Sequence, residues 1–295
     1  MYYECMINGF INLYKPRGMG SNYALRRVKR LLSQKKAGFL GTLDPMAEGV
    51  LPIALGEATK ILYYMEDAHK TYVFTIKFGV ETDTLDTDGD VVKEGGRVPS
   101  DSEIKKVLPQ FLGEIMQTPP KFSAVHIDGK RAYHLAAAGK DFEIKPRRQQ
   151  IFSIEYLGGH TFKVEVDRGF YIRSLATDIA SALGTIGHLT YLKRTQEGAF
   201  LEEASITLDR IEKMLQNAPH SQDARNFSFV LPPSFGLDGI PVLTANKAEA
   251  TAIGQGQTIP TRAAPGLYQV FSDDKLLAIA RATADTLKPE RVFNF

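Results

Sequence analysis

Residue types capable of chemistry crowd into one short stretch, Gly38-Phe39-Leu40-Gly41-Thr42-Leu43-Asp44-Pro45-Met46-Ala47-Glu48-Gly49. Glycines on both sides permit tight backbone turns, and Pro45 fixes the chain directly after Asp44. A carboxylate held so firmly can serve as a nucleophile or a general base. It can equally close an Asx turn or cap a helix before Met46, and on local grounds alone that is the commoner use. A second candidate is Arg168-Gly169-Phe170-Tyr171-Ile172-Arg173, which joins a strand end to a helix start. An aromatic and an arginine there can meet a carboxylate or a base turned out of its stack. The plainer alternative is Tyr171 in the core with Arg173 at its edge. Leu192-Lys193-Arg194 follows an apolar run and either carries a strand into solvent or lines an RNA groove.

Metal chemistry finds little support. The run Asp83 to Asp90 fails as a calcium loop, because aligning Gly89 with the required glycine puts Thr84 first and Gly95 where a bidentate Glu must stand. The six histidines show no spacing of the His-Glu-x-x-His kind. The single cysteine, Cys5, allows neither an internal disulfide nor a cysteine-ligated zinc site. No metal is assigned.

The elements that must position these residues follow from periodicity. Gly9 to Tyr14 reads as a strand ending at Lys15-Pro16. Ser21 is placed to cap a helix with Ala24, Leu25, Val28, Leu31 and Leu32 inward and Arg26, Arg27, Lys29 and Arg30 on the other face. Gly38 to Gly49 is expected as a loop, and Ala58, Ile61, Leu62 and Met65 mark a second helix. Tyr72, Phe74, Ile76 and Phe78 alternate as in a half-buried strand. Ser100 starts a helix, Phe122 to Ile127 forms a strand before an Asp128-Gly129 turn, and Arg131 to Ala138 is helical up to Gly139. Strands over 151–157 and 162–167 precede a helix from about Ser174 to Leu183. Without a steady βαβ rhythm the pattern favours α+β over a doubly wound sheet. The polar, proline-bearing stretch from Pro219 to Pro241 suggests a boundary, giving units 1–232 and 233–295, the second a small β module.

Composition sets the limits around this. The chain has 295 residues, of which 43% are hydrophobic and 24% charged, so wholesale disorder is excluded. Val50 to Leu55, the longest apolar run, is interrupted by Pro52 and too short to span a membrane. The residues before Gly9 lack the basic cluster of a signal peptide, so a reducing, cytoplasmic setting is expected. Net charge is only +2, yet basic residues gather at 26–36, at Lys130-Arg131 and at Lys145, Arg147 and Arg148, while Asp83, Asp86, Asp88 and Asp90 stand apart. Such separation permits a basic face on a nearly neutral molecule, although solvated helix faces explain most such runs.

Taken together, the motifs resemble the bacterial TruB-type tRNA pseudouridine synthases, which act on uridine 55 of the T arm. The carriers are Lys15-Pro16, Gly41-Thr42-Leu43-Asp44-Pro45, Gly49-Val50-Leu51-Pro52, Leu55-Gly56-Glu57-Ala58-Thr59-Lys60 and Lys70-Thr71-Tyr72. Thr82-Asp83-Thr84 with Asp86 and Gly89, Ser123-Ala124, Tyr171-Ile172-Arg173 and Tyr191-Leu192-Lys193-Arg194 follow in the family order. The resemblance implies a mixed, largely antiparallel sheet flanked by helices, followed by a small PUA-type RNA-binding module. It implies Asp44 as catalytic aspartate, Tyr72 stacked on the target base, Arg173 paired with the aspartate and keeping it ionised, and Tyr171 and Leu192 lining the uridine pocket. It implies tRNA as partner, a monomer, and neither metal nor organic cofactor. One departure stands out: the family's Gly-His-Thr-Gly is replaced by Gly38-Phe39-Leu40-Gly41, so Phe39 takes the place of a histidine that meets RNA beside the flipped base. An RNA-binding or tRNA-folding protein with reduced or lost catalysis is the alternative, and Phe39 is the feature that favours it.

Overall fold

Alternating apolar side chains build the main sheet. In the strand Lys70–Phe78, Tyr72, Phe74, Ile76 and Phe78 are all buried while Lys77 faces solvent. The computed structural model describes residues 6–65, 69–217 and 227–295; Cys5 and part of the Pro219 to Pro241 stretch lie outside them. The sheet runs in the order Ile206–Thr207, Gly9–Lys15, Glu48–Leu55, Gly187–Glu197, Lys70–Phe78, Thr161–Val166, Arg147–Gly158, Gly113–Gln117. Ala37–Phe39 adds to Glu48–Leu55, and Phe200–Leu201 adds to Gly187–Glu197. Pairing is antiparallel except where Ile206–Thr207 joins Gly9–Lys15 and where Gly187–Glu197 joins Glu48–Leu55. The fold is α+β.

The second parallel contact explains a motif glycine. Gly49 lies opposite Arg194 with φ +106°, and a Cβ there would stand 2.2 Å from the Arg194 carbonyl oxygen. Only glycine permits that approach. The strands Gly9–Lys15 and Glu48–Leu55 are covered on both sides. Ile11, Leu13, Leu51 and Ile53 join the core beneath the helices Ser21–Leu31 and Ile172–Ala182. Phe10, Val50 and Ala54 face a second cluster that includes Leu276, Ile279 and Phe293 of the C-terminal sheet. Burial on both faces is why Val50 to Leu55 reads as a continuous apolar run. The C-terminal sheet, ordered Val242–Thr244, Gly266–Ser272, Lys275–Thr283, Thr286–Val292, Ile259–Pro260, carries the helix Lys247–Gly254.

Several sequence expectations are corrected. The Ala58 to Met65 segment forms two 3₁₀ turns, Gly56–Lys60 and Leu62–Met65, rather than one α-helix. The spacings Ala58 to Ile61 and Leu62 to Met65 suit i,i+3 packing as well as a 3.6 period. The expected loop from Gly38 to Gly49 gives up its ends to strands Ala37–Phe39 and Glu48–Leu55. The strand expected over Phe122 to Ile127 shrinks to His126–Ile127. Helix Lys247–Gly254 was hidden because Ile253 is its one buried residue, so it shows no apolar period. Ser21 is the first residue of its helix, and Gly20 occupies the cap position.

Candidate active site

Ser21 does something other than cap. Its hydroxyl donates to the Leu43 carbonyl (2.8 Å) and accepts from the Leu43 amide (2.9 Å), pinning the loop before Asp44. The rest of this loop is held as closely. The Leu40 amide donates to Pro52 O (3.0 Å), the Gly18 amide to Pro45 O (2.7 Å) and the buried Lys15 ammonium to Ala47 O. Leu43, Met46 and Ala47 are buried anchors on either side. The Ala47 amide donates to the Asp44 carbonyl (3.1 Å), which closes a turn with Pro45 at its second position. Because the backbone carbonyl closes that turn, the carboxylate is left for another partner, and its side chain is 34% exposed.

That partner is Arg173, whose Nε stands 3.0 Å from Asp44 Oδ2. Arg173 lies in the first turn of helix Ile172–Ala182 and is buried. Its other donors go to Thr84 O (3.0 Å), Phe122 O (3.0 Å) and, as an ion pair at 3.5 Å, Asp86 Oδ2. Asp86 is fixed in turn by the Thr84 hydroxyl (2.7 Å) and the Asp88 amide (2.9 Å). The buried Gln117 clamps the helix start, donating to Tyr171 O (3.0 Å) and accepting from Tyr171 N (2.8 Å). The guanidinium plane is therefore set from several directions before any substrate arrives.

Asp44 forms part of the wall of a cavity of about 530 Å³. Tyr72, Tyr171, Arg173 and Leu192 line it as well, together with Phe122, Ser123, Arg131 and Tyr133. Burial pushes the Asp44 pKa above the usual carboxylate range; Arg173 opposes this, while Asp86 and Asp88 add to it. Arg173 favours the ionised carboxylate, as the sequence led one to expect, while desolvation opposes it and sets the upward direction of the net shift. Burial also raises the Tyr171 phenol. Tyr72 is buried and lines the cavity, and its hydroxyl has no hydrogen-bond partner among the described residues.

Five of the six residues singled out in the sequence meet in this cavity. Phe39 does not. It pairs with Ile53 in its short strand and lines an adjoining cavity of about 410 Å³ instead. Arg194, placed by the sequence at a strand end or an RNA groove, is wholly buried. Its Nε donates to Val50 O (2.8 Å), one Nη donates to Gly41 O (2.9 Å), and the other lies 2.7 Å from Glu197. Lys15, Asp86 and Gln117 position the site, yet sequence reasoning gave them no role. Lys15 and Asp86 entered the sequence reading only as carriers of the family resemblance, in Lys15-Pro16 and in Thr82-Asp83-Thr84 with Asp86. Among the described residues no cluster of His, Cys, Asp and Glu has the makings of a metal site, and no helix is long and apolar enough to cross a membrane.

A family model described as TruB family pseudouridylate synthase (N terminal domain) matches residues 29–172. Another, described as tRNA pseudouridylate synthase B C-terminal domain, matches 173–234. The tRNA pseudouridine synthase B of Caulobacter vibrioides is 38% identical over 97% of this chain and 96% of its own. The chain belongs to the TruB family of pseudouridylate synthases. This TruB-family fold is also similar to a solved Cbf5-Nop10-Gar1 complex, at TM-score 0.72 and 27% identity over 96% of this chain and 84% of that one. An H/ACA RNP bound to a substrate RNA containing 2'-deoxyuridine is similar at TM-score 0.72 and 26% identity, over 97% of this chain and 85% of its own. Residues 235–295 lie beyond both family models.

Proposed function

We propose that this chain isomerises uridine 55 in the T-arm loop of tRNA to pseudouridine, with Asp44 as the nucleophile. The reaction breaks the bond from C1′ to N1 of the uracil and forms one from C1′ to C5. The C5 hydrogen leaves, and N1 gains one. The product is an isomer of the substrate at the same oxidation level, one proton lost at C5 being matched by one gained at N1, so neither metal nor organic cofactor is required. The target base first leaves its stack, at a cost of roughly a few kcal/mol. The cavity of about 530 Å³ falls within the range of small-molecule sites and is open enough to admit a flipped nucleotide.

The observation that carries this reading is the Asp44–Arg173 contact of 3.0 Å on the wall of that cavity. A carboxylate confined by desolvation, and still in contact with the cavity, is suited to add to the uracil ring or to trap C1′ of the ribose. Tyr72 takes the role of stacking on the base near the departing proton, and Tyr171 and Leu192 enclose it. Phe39 contributes an aromatic face beside the space the uridine vacates. Such a pair favours catalysis over binding alone.

On the same reading, 1–232 is the catalytic unit and 233–295 a PUA-type RNA-binding module. The separate five-stranded sheet of the C-terminal region supports that division. The enzyme acts as a cytoplasmic monomer, where tRNA is met. Asp44→Asn keeps the side-chain shape and removes the nucleophile. Single-turnover pseudouridine formation on a T-arm stem-loop should fall by more than ~10³-fold, in line with the loss of other catalytic nucleophiles. Stem-loop affinity should change by no more than a few-fold. Retained turnover in that variant would refute the assignment.

A further inference from the structure

The turn Gly56–Lys60 carries a buried carboxylate that the reaction does not use. Glu57 accepts from Lys60 Nζ and from Lys36 Nζ (3.4 Å), and its own amide donates to Asn8 Oδ1 (2.7 Å). Gly56 permits that approach: its φ is +56°, and a Cβ there would stand 2.2 Å from Asn8 Oδ1. A carboxylate serving only its own turn would need no more than these partners. Glu57 has another, since the Asn294 amide, 237 residues away, donates to its Oε2 (3.2 Å). Lys60 is shared in the same way and donates to Val292 O (3.1 Å).

Val292 closes the strand Thr286–Val292 of the C-terminal sheet, and Asn294 lies just beyond it. Between them Phe293 is buried in the cluster that holds Ala58 and Ile61. The entry to this sheet is held as well. Leu231 exchanges backbone hydrogen bonds with Phe10 (2.9 and 2.7 Å), and Gln269 Nε2 donates to Leu237 O (2.9 Å) and Ile240 O (2.8 Å). Units of one chain move against each other by default unless the contact between them is secured. Here the entry is secured by backbone pairing and the exit by one carboxylate and one ammonium.

We propose that Glu57 is a positioning residue that locks the exit of the C-terminal module onto the catalytic unit, so that tRNA is gripped at two points a fixed distance apart. The proposal rests on the reading of that module as an RNA-binding unit. Two linked sites gain on the order of 10²-fold over one when geometry lets both engage, and lose the gain when it does not. Releasing one end of the module therefore costs affinity only for an RNA long enough to reach both units. The test compares full-length tRNA with a T-arm stem-loop. The unaltered protein should bind tRNA more tightly than the stem-loop. Glu57→Ala should reduce that ratio about tenfold and leave stem-loop binding and turnover unchanged. Glu57→Gln keeps an acceptor for the Asn294 amide and should fall between the two. Ending the chain after Phe293 removes that amide without altering the catalytic unit, and should match Glu57→Ala. An unchanged ratio in both Glu57→Ala and the shortened chain would overturn the proposal. Equal losses on the two RNAs would also overturn it, because that is the result of a carboxylate that only stabilises the fold. Amide hydrogen exchange along Thr286–Val292, measured without RNA, should quicken in Glu57→Ala, and unchanged exchange would refute the lock. If the unaltered protein bound tRNA no better than the stem-loop, the RNA-binding reading of the module would fall, while the exchange measurement would still decide the lock.

Discussion

Two arginine–carboxylate pairs lie close together and differ in one respect. Arg173 and Arg194 are both buried, and each has a carboxylate oxygen within 3.0 Å, Asp44 for the first and Glu197 for the second. Glu197 is sealed, its side chain 2% exposed, between Arg194 and Lys70. Asp44 is 34% exposed and turns its carboxylate toward open space. Its desolvation is only partly offset, which raises its pKa, and that imbalance is what a reactive carboxylate needs. Both arginines also donate to backbone carbonyls; those that Arg194 reaches, Val50 O and Gly41 O, flank the loop that presents Asp44 and so fix it. On the proposed mechanism one pair is the instrument and the other its mount.

The largest expected difference follows directly. Arg194→Met leaves Glu197 buried with Lys70 as its remaining cation and frees the Gly41 carbonyl. Breaking a buried pair from one side costs ~3–5 kcal/mol, so the denaturant midpoint should drop sharply. If Arg194→Met unfolded like the unaltered protein but bound RNA more weakly, Arg194 would belong to the RNA surface and the contrast would collapse.

The active pair is sharpened by pH. On the proposed mechanism Asp44 must be ionised to attack, so activity should decline on acidification through its folded pKa, at a pH above the usual carboxylate range. Arg173→Gln removes the neighbouring positive charge that favours ionisation, which moves the acid limb of the single-turnover profile to higher pH. A limb that stays in place would mean that another group controls it.

The sequence made the residue types of the active pair legible, because a glycine-flanked Asp-Pro and a strand-to-helix Tyr-Ile-Arg carry their own geometry. It also made the long strands legible, since Tyr72 to Phe78 alternates cleanly. It could not separate Arg173 from Arg194. Arg173 stands one residue and Arg194 two residues after an apolar side chain. The register of Gly187–Glu197 against Glu48–Leu55 is what brings Arg194 against the buried Gly49. Ser21 misled for a similar reason: a serine before a helical pattern looks like a cap until Leu43 arrives from 22 residues away to take its hydroxyl. Phe39 was placed with the pocket by motif position, whereas pairing with Ile53 sets it in the adjoining recess.

With Arg194 interior, phosphates must be met by cations that the protein leaves accessible. Lys36 already reaches Glu57 at 3.4 Å and Arg27 reaches Glu212 at 3.6 Å. Arg26 lies over the Tyr23 ring, and Arg30 has no ion-pair partner among the described residues. Replacing Arg26 and Arg30 by alanine should lower the slope of log affinity against log salt by about 0.7–0.9 for each phosphate that is no longer neutralised. An unchanged slope would move the RNA path to another face.

The smallest effect carries the sign that separates the pairs most cleanly. A carboxylate whose folded pKa is raised binds its proton more tightly in the folded protein than in the unfolded chain. The associated stability is present at acid pH and is lost as pH rises through the folded pKa. At neutral pH the ionised Asp44 therefore weighs against folding. Asp44→Asn removes that burden, and Arg173 keeps Thr84 O, Phe122 O and Asp86 as partners. The inactive variant should melt slightly higher than the unaltered protein at pH 7, and the gain should shrink as the pH is lowered. Glu197→Gln, which takes a charge from a pair whose side chains are almost wholly buried, should melt lower. Calorimetric melting of both variants across pH decides it: a drop for Asp44→Asn comparable to that for Glu197→Gln would show that both carboxylates serve the fold alike.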